Sequence, residues 1–514
     1  MNAEMLNRWL FGLAVALGAS IFWLAPHPPM IDLPQHAGQL ALLKQLVTGD
    51  TRWAALFQVN PWTPYFLGFG LALPLSFVMP VAAALKTVLT LAYLAWVLVC
   101  TGLRRHFGAD ARLDWLCLTP YFGFAFHWGF FTFLTAAPLG LALVWLGARQ
   151  SRTPSAARGA LLSALCVLLL VSHGLVFLYT LGTLALLLAA RGPGLLQRAL
   201  KLWPLVLPTT ALAVFFVMSR EAESAFHTAR TVPAVMGHWG IRHELLTWSQ
   251  GLKVHPLFTA TSLVFLLAPW LMGLRTGPRR GLALLPFALT AVVLNFAPSF
   301  AFETSFVYER FALFLWPTYA WLFAAQPGPP KPSARAVQAL LIVMAMAVLG
   351  LHAGRVWLFG REAADFDAIA AQLEPGQRAL ALIADPFSPA TDGVPAYVHH
   401  GLWYQAEQDG LVDFNFAWVQ PQVVRYRVDA RPPVALNFPW NPKQFDWTRH
   451  QGRNYRYFLV RLGDRPAPDW FASAGCKPRL LRQEGNWQAF ERATCATDPP
   501  DAVTSIGPAQ RARP

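Results

Sequence analysis

Charge is scarce in this chain. Asp, Glu, Lys and Arg make up 13% of its 514 residues, about half the ~25% of an ordinary soluble domain. Acids are the scarcer sign, 27 against 41 Lys and Arg. With 55% hydrophobic residues, this composition excludes a disordered segment and a soluble basic protein, since too little polar surface remains to keep the chain in water. Cysteine is scarce as well, and the five present show no spacing of a zinc module. Neither a GxGxxG nor a Walker loop occurs, which argues against cytoplasmic nucleotide chemistry. No internal repeat is visible.

The formal charge of +14 points to anionic partners until it is resolved along the chain. Residues 356–514 hold 17 Lys and Arg against 17 Asp and Glu, leaving 24 against 10 for residues 1–355. All the excess positive charge therefore lies in the apolar two-thirds. A nucleic-acid surface would cluster it on a folded polar face; cytoplasmic loops of a membrane protein fit better, and no nucleic-acid partner is expected.

Apolar stretches of about 18 or more residues, enough to cross ~30 Å of hydrocarbon, recur at 9–26, 81–103, 113–131, 132–148, 159–178, 202–219, 257–274, 281–298, 307–325 and 336–354. Residues 62–80, broken by Pro74, and the short 179–190 are weaker. Basic residues resist translocation. Arg8, Arg104, Arg105, Arg112, Arg149, Arg152, Arg158 and their counterparts in later joints thus mark cytoplasmic loops, with only Glu4, Asp110 and Asp114 among them. The opposite side receives 27–61, 220–256, 299–306 and everything after 355. Keeping Arg104 inside makes 62–80 a re-entrant or interfacial segment. The expectation is an α-helical polytopic membrane domain over 1–355 with about 11 transmembrane helices, multi-pass in a bacterial inner membrane, its N terminus cytoplasmic. Pro26-His27-Pro28-Pro29 lacks a signal-cleavage pattern, so the first span reads as a retained anchor.

Residues 356–504 read as a small extracytoplasmic, periplasmic α/β domain. Strand-like runs occur at Ala379–Ala384, Pro433–Asn437 and Tyr455–Leu462, and helical stretches at 361–373 and 395–408. Its aromatics, among them Trp403-Tyr404, Trp418, Trp440, Trp447 and Tyr455-Arg456-Tyr457, either fill a small core or bind glycan. Cys476 and Cys495 are candidates for a disulfide on an oxidising side, whereas Cys100, Cys117 and Cys166 lie in spans and read as small buried hydrophobes. The Pro/Arg tail 505–514 reads as disordered.

The segment richest in chemistry is Asp32-Leu33-Pro34-Gln35-His36, directly after the first span. If Pro34 starts a helix, Asp32 and His36 share a face, and Leu40, Leu43, Lys44 and Val47 continue an apolar stripe along the membrane interface. Asp32 is then either a helix N-cap or a carboxylate held at headgroup depth for catalysis. His127-Trp128-Gly129 and Ser172-His173-Gly174 lie inside apolar stretches and read as helix-bridging groups or cavity lining. His399-His400 reads as a surface pair.

An N-terminal span, an acid in the first outer loop in an Asp-x-Pro-x-His setting, an interfacial helix, many spans and a C-terminal outer domain together resemble the GT-C superfamily of integral membrane glycosyltransferases. The resemblance implies transfer, with inversion, of a sugar from a polyprenyl-phosphate-linked donor to a glycan, lipid or protein acceptor on the extracytoplasmic face. It also implies contact with membrane lipids. In the family the first-loop acid is a general base or a metal ligand, and the resemblance carries both roles onto Asp32. Several members have two adjacent acids there and this sequence has one, so no metal ligands are assigned and a divalent metal stays an option.

Such a reaction needs cations for the leaving phosphate. Arg310, beside Glu309 at the outer start of an apolar run, offers donors suited to phosphate; the alternative is an anchor paired with Glu309 or Glu303. The loop 220–256 contributes Arg220, His227, His238 and His243, a mixture suited to sugar and phosphate recognition, or to a plain solvated loop. The expected substrate-binding set is accordingly His36, Glu309, Arg310, Arg220, His227, His238 and His243, with Asp32 as the catalytic base. A rival reading is a transporter or flippase of envelope lipids or glycans, with His127 and His173 along the path. Few polar groups in the spans, no inverted repeat and a large outer domain weigh against it.

Overall fold

Apolar runs fold as helices because every backbone amide then finds its partner within the segment. The structure, a computed structural model, describes residues 3–50, 52–190, 194–224, 244–277, 280–301, 304–325, 333–419, 421–463, 470–471 and 478–492. Its longer helices are α1 (Ala3–Ile21), α2 (Leu33–Thr48), α3 (Phe66–Ser76), α4 (Val81–Phe107), α5 (Phe131–Arg152), α6 (Ala156–Leu170), α7 (Gly174–Ala189), α8 (Val206–Ser224), α9 (Pro256–Leu271), α10 (Arg280–Phe296), α11 (Ala312–Ala320) and α12 (Ser333–Ala370). Among the described residues, α4, α5 and α12 are long and apolar enough to cross a membrane, while α3, α6, α7, α9, α10 and the stretch Trp203–Ser219 leading through α8 are shorter apolar helices.

The chain divides into two compact units. One comprises Met1–Leu24, Val88–Glu221 and His227–Arg355; the other comprises Ala25–Thr87, Ala222–Phe226 and Val356–Pro514.

The first unit is apolar inside and out. On α9, Phe258 and Phe265 are fully buried while Leu263, Leu267, Trp270 and Leu271 stay about half exposed, the pattern of a helix whose outer solvent is lipid. Phe22, Tyr93, Tyr121 and Phe122 interlock in its core through tilted and edge-to-face ring contacts. Cys100, Cys117 and Cys166 are free and buried.

Here the structure corrects the reading of the apolar runs. Residues 113–131 form no continuous span: the 3-10 turns Ala111–Cys117 and Thr119–Phe122 and the short helix Phe124–His127 follow one another. Pro120 opens the second turn and Gly129 takes a left-handed φ of 73°, so punctuation overrides composition. The run 159–190 splits at residues 171–173 into α6 and α7, and 307–325 yields the turn Glu309–Phe311, the nine-residue α11 and a two-residue strand at Phe323–Ala324.

The second unit is mixed. Its short helix α13 (Leu402–Glu407) accompanies strands β1 (Phe57–Val59), β2 (Arg378–Ile383), β3 (Leu411–Asp413), β4 (Val424–Tyr426), β5 (Tyr457–Arg461), β6 (Arg479–Glu484) and β7 (Trp487–Glu491). Five of these strands form a sheet in the order β6-β7-β5-β2-β3; β2 runs parallel to both its neighbours, and the rest of the sheet is antiparallel. Leu380, Leu382, Phe458 and Val460 project from β2 and β5 into a core with Phe445, Trp447, Tyr455 and Trp470. Trp403, Tyr404 and Tyr457 are also buried, and Trp440 is exposed. Strands β1 and β4 pair antiparallel, Phe57 opposite Tyr426.

Three local expectations change in this unit. Pro433–Asn437 is irregular chain ending in a turn, not strand, and within 395–408 only Leu402–Glu407 is helical. Helix α2 does not lie on a surface with one apolar stripe, for Leu33–Leu43 is buried throughout. It packs on α13 so tightly that a Cβ on Gly38 would stand 2.8 Å from Gln405 Nε2. Cys476, Cys495 and the tail 505–514 lie outside the described residues.

Candidate active site around Asp32

Asp32 is built where α1's exit turn meets α2. Pro34 lies in the first turn, where its missing N–H costs nothing, so the helix starts immediately after Asp32. The residue occupies the N-cap position, yet its backbone is α-helical (φ −94°, ψ −4°) and its side chain makes no cap hydrogen bond. The carboxylate is turned instead toward His399, with Oδ1 3.7 Å from Nε2.

Gln35 sets up that encounter. It is wholly buried, and its Oε1 accepts from the Phe416 amide at 2.8 Å. That bond fixes which end of the amide is oxygen. Its Nε2 therefore donates, to the Phe414 carbonyl at 3.2 Å and to His399 Nδ1 at 3.0 Å. With Nδ1 accepting, the imidazole proton lies on Nε2, the nitrogen that faces Asp32. Burial pushes the His399 pKa down to about 3, so the ring stays neutral and presents an N–H dipole that leaves the carboxylate charge intact.

The loop holding Gln35 is itself anchored. Asp413, fully buried, accepts from Arg378 Nη2 at 2.6 Å, Tyr426 Oη at 2.6 Å and Tyr455 Oη at 3.0 Å. A buried carboxylate needs such a shell to offset its lost hydration, and here the shell fixes the end of β3 from which Phe414 and Phe416 extend. Gln39 adds a hook by accepting from the Val424 amide at 2.9 Å.

A cavity of about 400 Å³ opens in the same unit, with His27, Lys86, Asp367, Trp403 and Glu407 among its lining residues. His27 stacks on Trp403, ring centroids 4.2 Å apart, and meets Asp367 at 3.2 Å and Glu407 at 3.0 Å. Burial lowers the His27 pKa, but the two carboxylates outweigh it and leave the value above that of an ordinary histidine.

The other expected site residues have different fates. His36 is buried against Phe69 and Phe416, with ring centroids 5.8 Å away in each case. Arg310, in the first unit, lies 3.7 Å over the Phe130 ring centroid and donates to the carbonyls of Phe306 at 3.0 Å and Ser305 at 2.7 Å. Glu309 accepts from Ser299 Oγ at 2.5 Å. Arg220 belongs to α8, its side chain not described, and His227, His238 and His243 lie outside the described residues. His127 and His173 are buried within the first unit, against His352 and Phe133 respectively.

His399 and His400 overturn the surface-pair expectation, being 5% and 1% exposed. Sequence reasoning missed them because nothing local marks them; the Gln35–His399 contact spans 364 positions.

Zinc at Asp32 is disfavoured by the donor set. Asp32 and His399 supply two donors, fewer than the three or four protein ligands of a zinc site; magnesium takes one or two carboxylates together with substrate phosphates. Among the described residues one group of three His, Cys, Asp or Glu approaches ligand proximity, His27, Asp367 and His400, and Asp32 is not in it.

No protein-family model and no curated protein matches the sequence. Comparison with solved structures is informative: the fold is that of the GT-C membrane glycosyltransferases. The chain is similar to ArnT from Cupriavidus metallidurans, in a crystal structure bound to undecaprenyl phosphate, with a TM-score of 0.56 and 14% identity over 99% of this chain and 100% of that one. A mycobacterial arabinofuranosyltransferase, AftD, matches 95% of this chain and 42% of its own, at a TM-score of 0.50 and 14% identity.

Proposed function

We propose that the chain is a membrane glycosyltransferase. It transfers a sugar from a polyprenyl-phosphate donor to a glycan, lipid or protein acceptor on the extracytoplasmic side of a bacterial inner membrane. In this reading residues 1–355 supply about 11 spans, the N terminus is cytoplasmic, and residues 356–504 form the periplasmic domain. The fold shared with ArnT, seen with undecaprenyl phosphate, supports the substrate class.

The observation that carries the reading is the placement of the Asp32 carboxylate at the start of α2, 3.7 Å from the Nε2 of the buried His399. Asp32 takes the proton of the acceptor hydroxyl as that oxygen attacks the anomeric carbon. The bond from that carbon to the phosphate oxygen breaks, and polyprenyl phosphate leaves with the electron pair. Attack opposite the leaving group inverts the anomeric centre. His399, held by Gln35, orients the base without neutralising it. Arg310, fixed by two carbonyls over an aromatic ring, is assigned to the leaving phosphate.

The test is Asp32→Asn. Envelope lipids and glycans are profiled by mass spectrometry, and the purified variant is tested for binding of undecaprenyl phosphate. Expected are unchanged membrane abundance and lipid binding, with product formation down about 10²–10⁴-fold. Product at the wild-type level would overturn the assignment.

A further inference from the structure

We infer that the second unit holds one divalent transition-metal ion, best matched to zinc, on His27, Asp367 and His400. The three contribute one ligand atom each, and these atoms lie within 4.8 Å of one another. A tetrahedral ion with bonds near 2.0–2.2 Å holds its ligands about 3.4 Å apart, and His27 Nδ1 already stands 3.2 Å from Asp367 Oδ1.

The orientation of His27 favours a ligand over a plain contact. Its Nε2 meets Glu407 Oε1 at 3.0 Å; with that nitrogen donating, Nδ1 carries the lone pair and aims it at Asp367 Oδ1, 3.2 Å away. A carboxylate on the far nitrogen is the arrangement by which proteins fix a metal-binding imidazole. A lone pair facing a carboxylate oxygen at this distance needs a proton or a cation between them. A proton would satisfy His27 and Asp367 alone. His400 decides between these: it is 1% exposed, and its Nε2 is buried without a hydrogen-bond partner. Only a cation uses all three groups.

Two imidazoles with a carboxylate suit zinc better than magnesium or calcium, which prefer oxygen shells. The cavity lined by His27 and Asp367 gives a water room to complete the shell. The ligands come from the proline-flanked turn after α1, the end of α12 and the turn before α13, so the ion would clasp three distant segments. His400 directly follows His399, and the clasp would brace the backbone that carries the Asp32 partner.

The experiment uses the full chain, free of affinity histidines, purified in detergent without added metal and measured for metal by mass spectrometry. Expected is about one zinc per chain, lost in His400→Gln and Asp367→Asn. Chelation should lower the wild-type melting temperature and zinc should restore it. Because the variants could fail to fold, cobalt is also titrated into chelated wild-type protein. Visible bands of a four-coordinate site saturating at about one equivalent support the site. A melting temperature indifferent to chelator and zinc, or wild type binding no more zinc than folded variants, or no cobalt bands, would overturn it in favour of an imidazolium bridging two carboxylates.

Discussion

In the first unit charged side chains find partners close by in sequence: Arg104 meets Asp114 at 2.9 Å and Arg112 meets Asp110 at 2.8 Å. In the second, Arg378 pairs with Asp413 at 2.6 Å, and Arg461 with Glu362 at 3.3 Å and Asp385 at 3.1 Å, across 35, 99 and 76 positions. The difference follows from the surroundings each unit is built for. Helices in lipid satisfy their own backbone and leave charges to the loops, so little has to be paired over long range. A mixed sheet with a polar interior must bring remote donors and acceptors together, and each pair so formed ties down another stretch of chain. That is the setting in which a carboxylate such as Asp32 can be held in one geometry.

After Asp32→Asn, the largest expected effect comes from cutting the deepest long-range pair. Arg378→Met leaves the fully buried Asp413 without its cation and should destabilise the protein by about 3–5 kcal/mol. The double variant with Asp413→Leu should recover most of that loss, as replacing both partners removes the uncompensated charge. Thermal unfolding in detergent measures both. If Arg378→Met unfolds like the wild type, the contrast between the units fails. Gln35→Leu comes next: the Phe416 amide and Phe414 carbonyl lose their partner, for about 1–3 kcal/mol, and His399 loses the bond that sets its tautomer. Product formation should fall while undecaprenyl phosphate binding persists. Stability loss without any change in transfer would make Gln35 structural only.

Much of the first unit was legible because hydrophobic runs report directly on burial in lipid, and α4, α5 and α12 follow the expected spans at 81–103, 132–148 and 336–354. The failures there came from punctuation. Residues 113–131 are as apolar as a span, and only Pro120, Gly123 and Gly129 betray the breaks. In the second unit Asp32 could be singled out from its proline and its place after α1, but its encounter with His399 could not. Spacing put His36 on the same helix face, whereas His399 arrives from 367 positions away, and no local pattern encodes an approach made by folding. The buried α2 was misread for the same reason: the loop after β3, strand β4 and the turn after α13 meet the polar Gln35, Gln39 and Gln45 in turn, through Phe416, Val424 and Asp409.

The smallest effect should come from the outer face of α9. In a water-soluble protein an apolar row this long would be a liability, and trimming it would improve behaviour. In a bilayer, the side chain of Leu267, 49% exposed, exchanges contact with protein for contact with lipid tails, so Leu267→Ala removes methylenes without opening a cavity. The expected change is within about 0.5 kcal/mol, read as an unchanged melting temperature in nanodiscs. Phe265, two positions away and fully buried, gives the control, since Phe265→Ala opens a cavity and should cost about 3–5 kcal/mol. Introducing a charge separates lipid from water as the outer solvent: Leu267→Lys is tolerated on a wet surface but opposes insertion by about 2.5–3.5 kcal/mol at mid-membrane depth. Undiminished membrane yield of Leu267→Lys would mean that α9 shows this face to water, and the division between the two units would have to be redrawn.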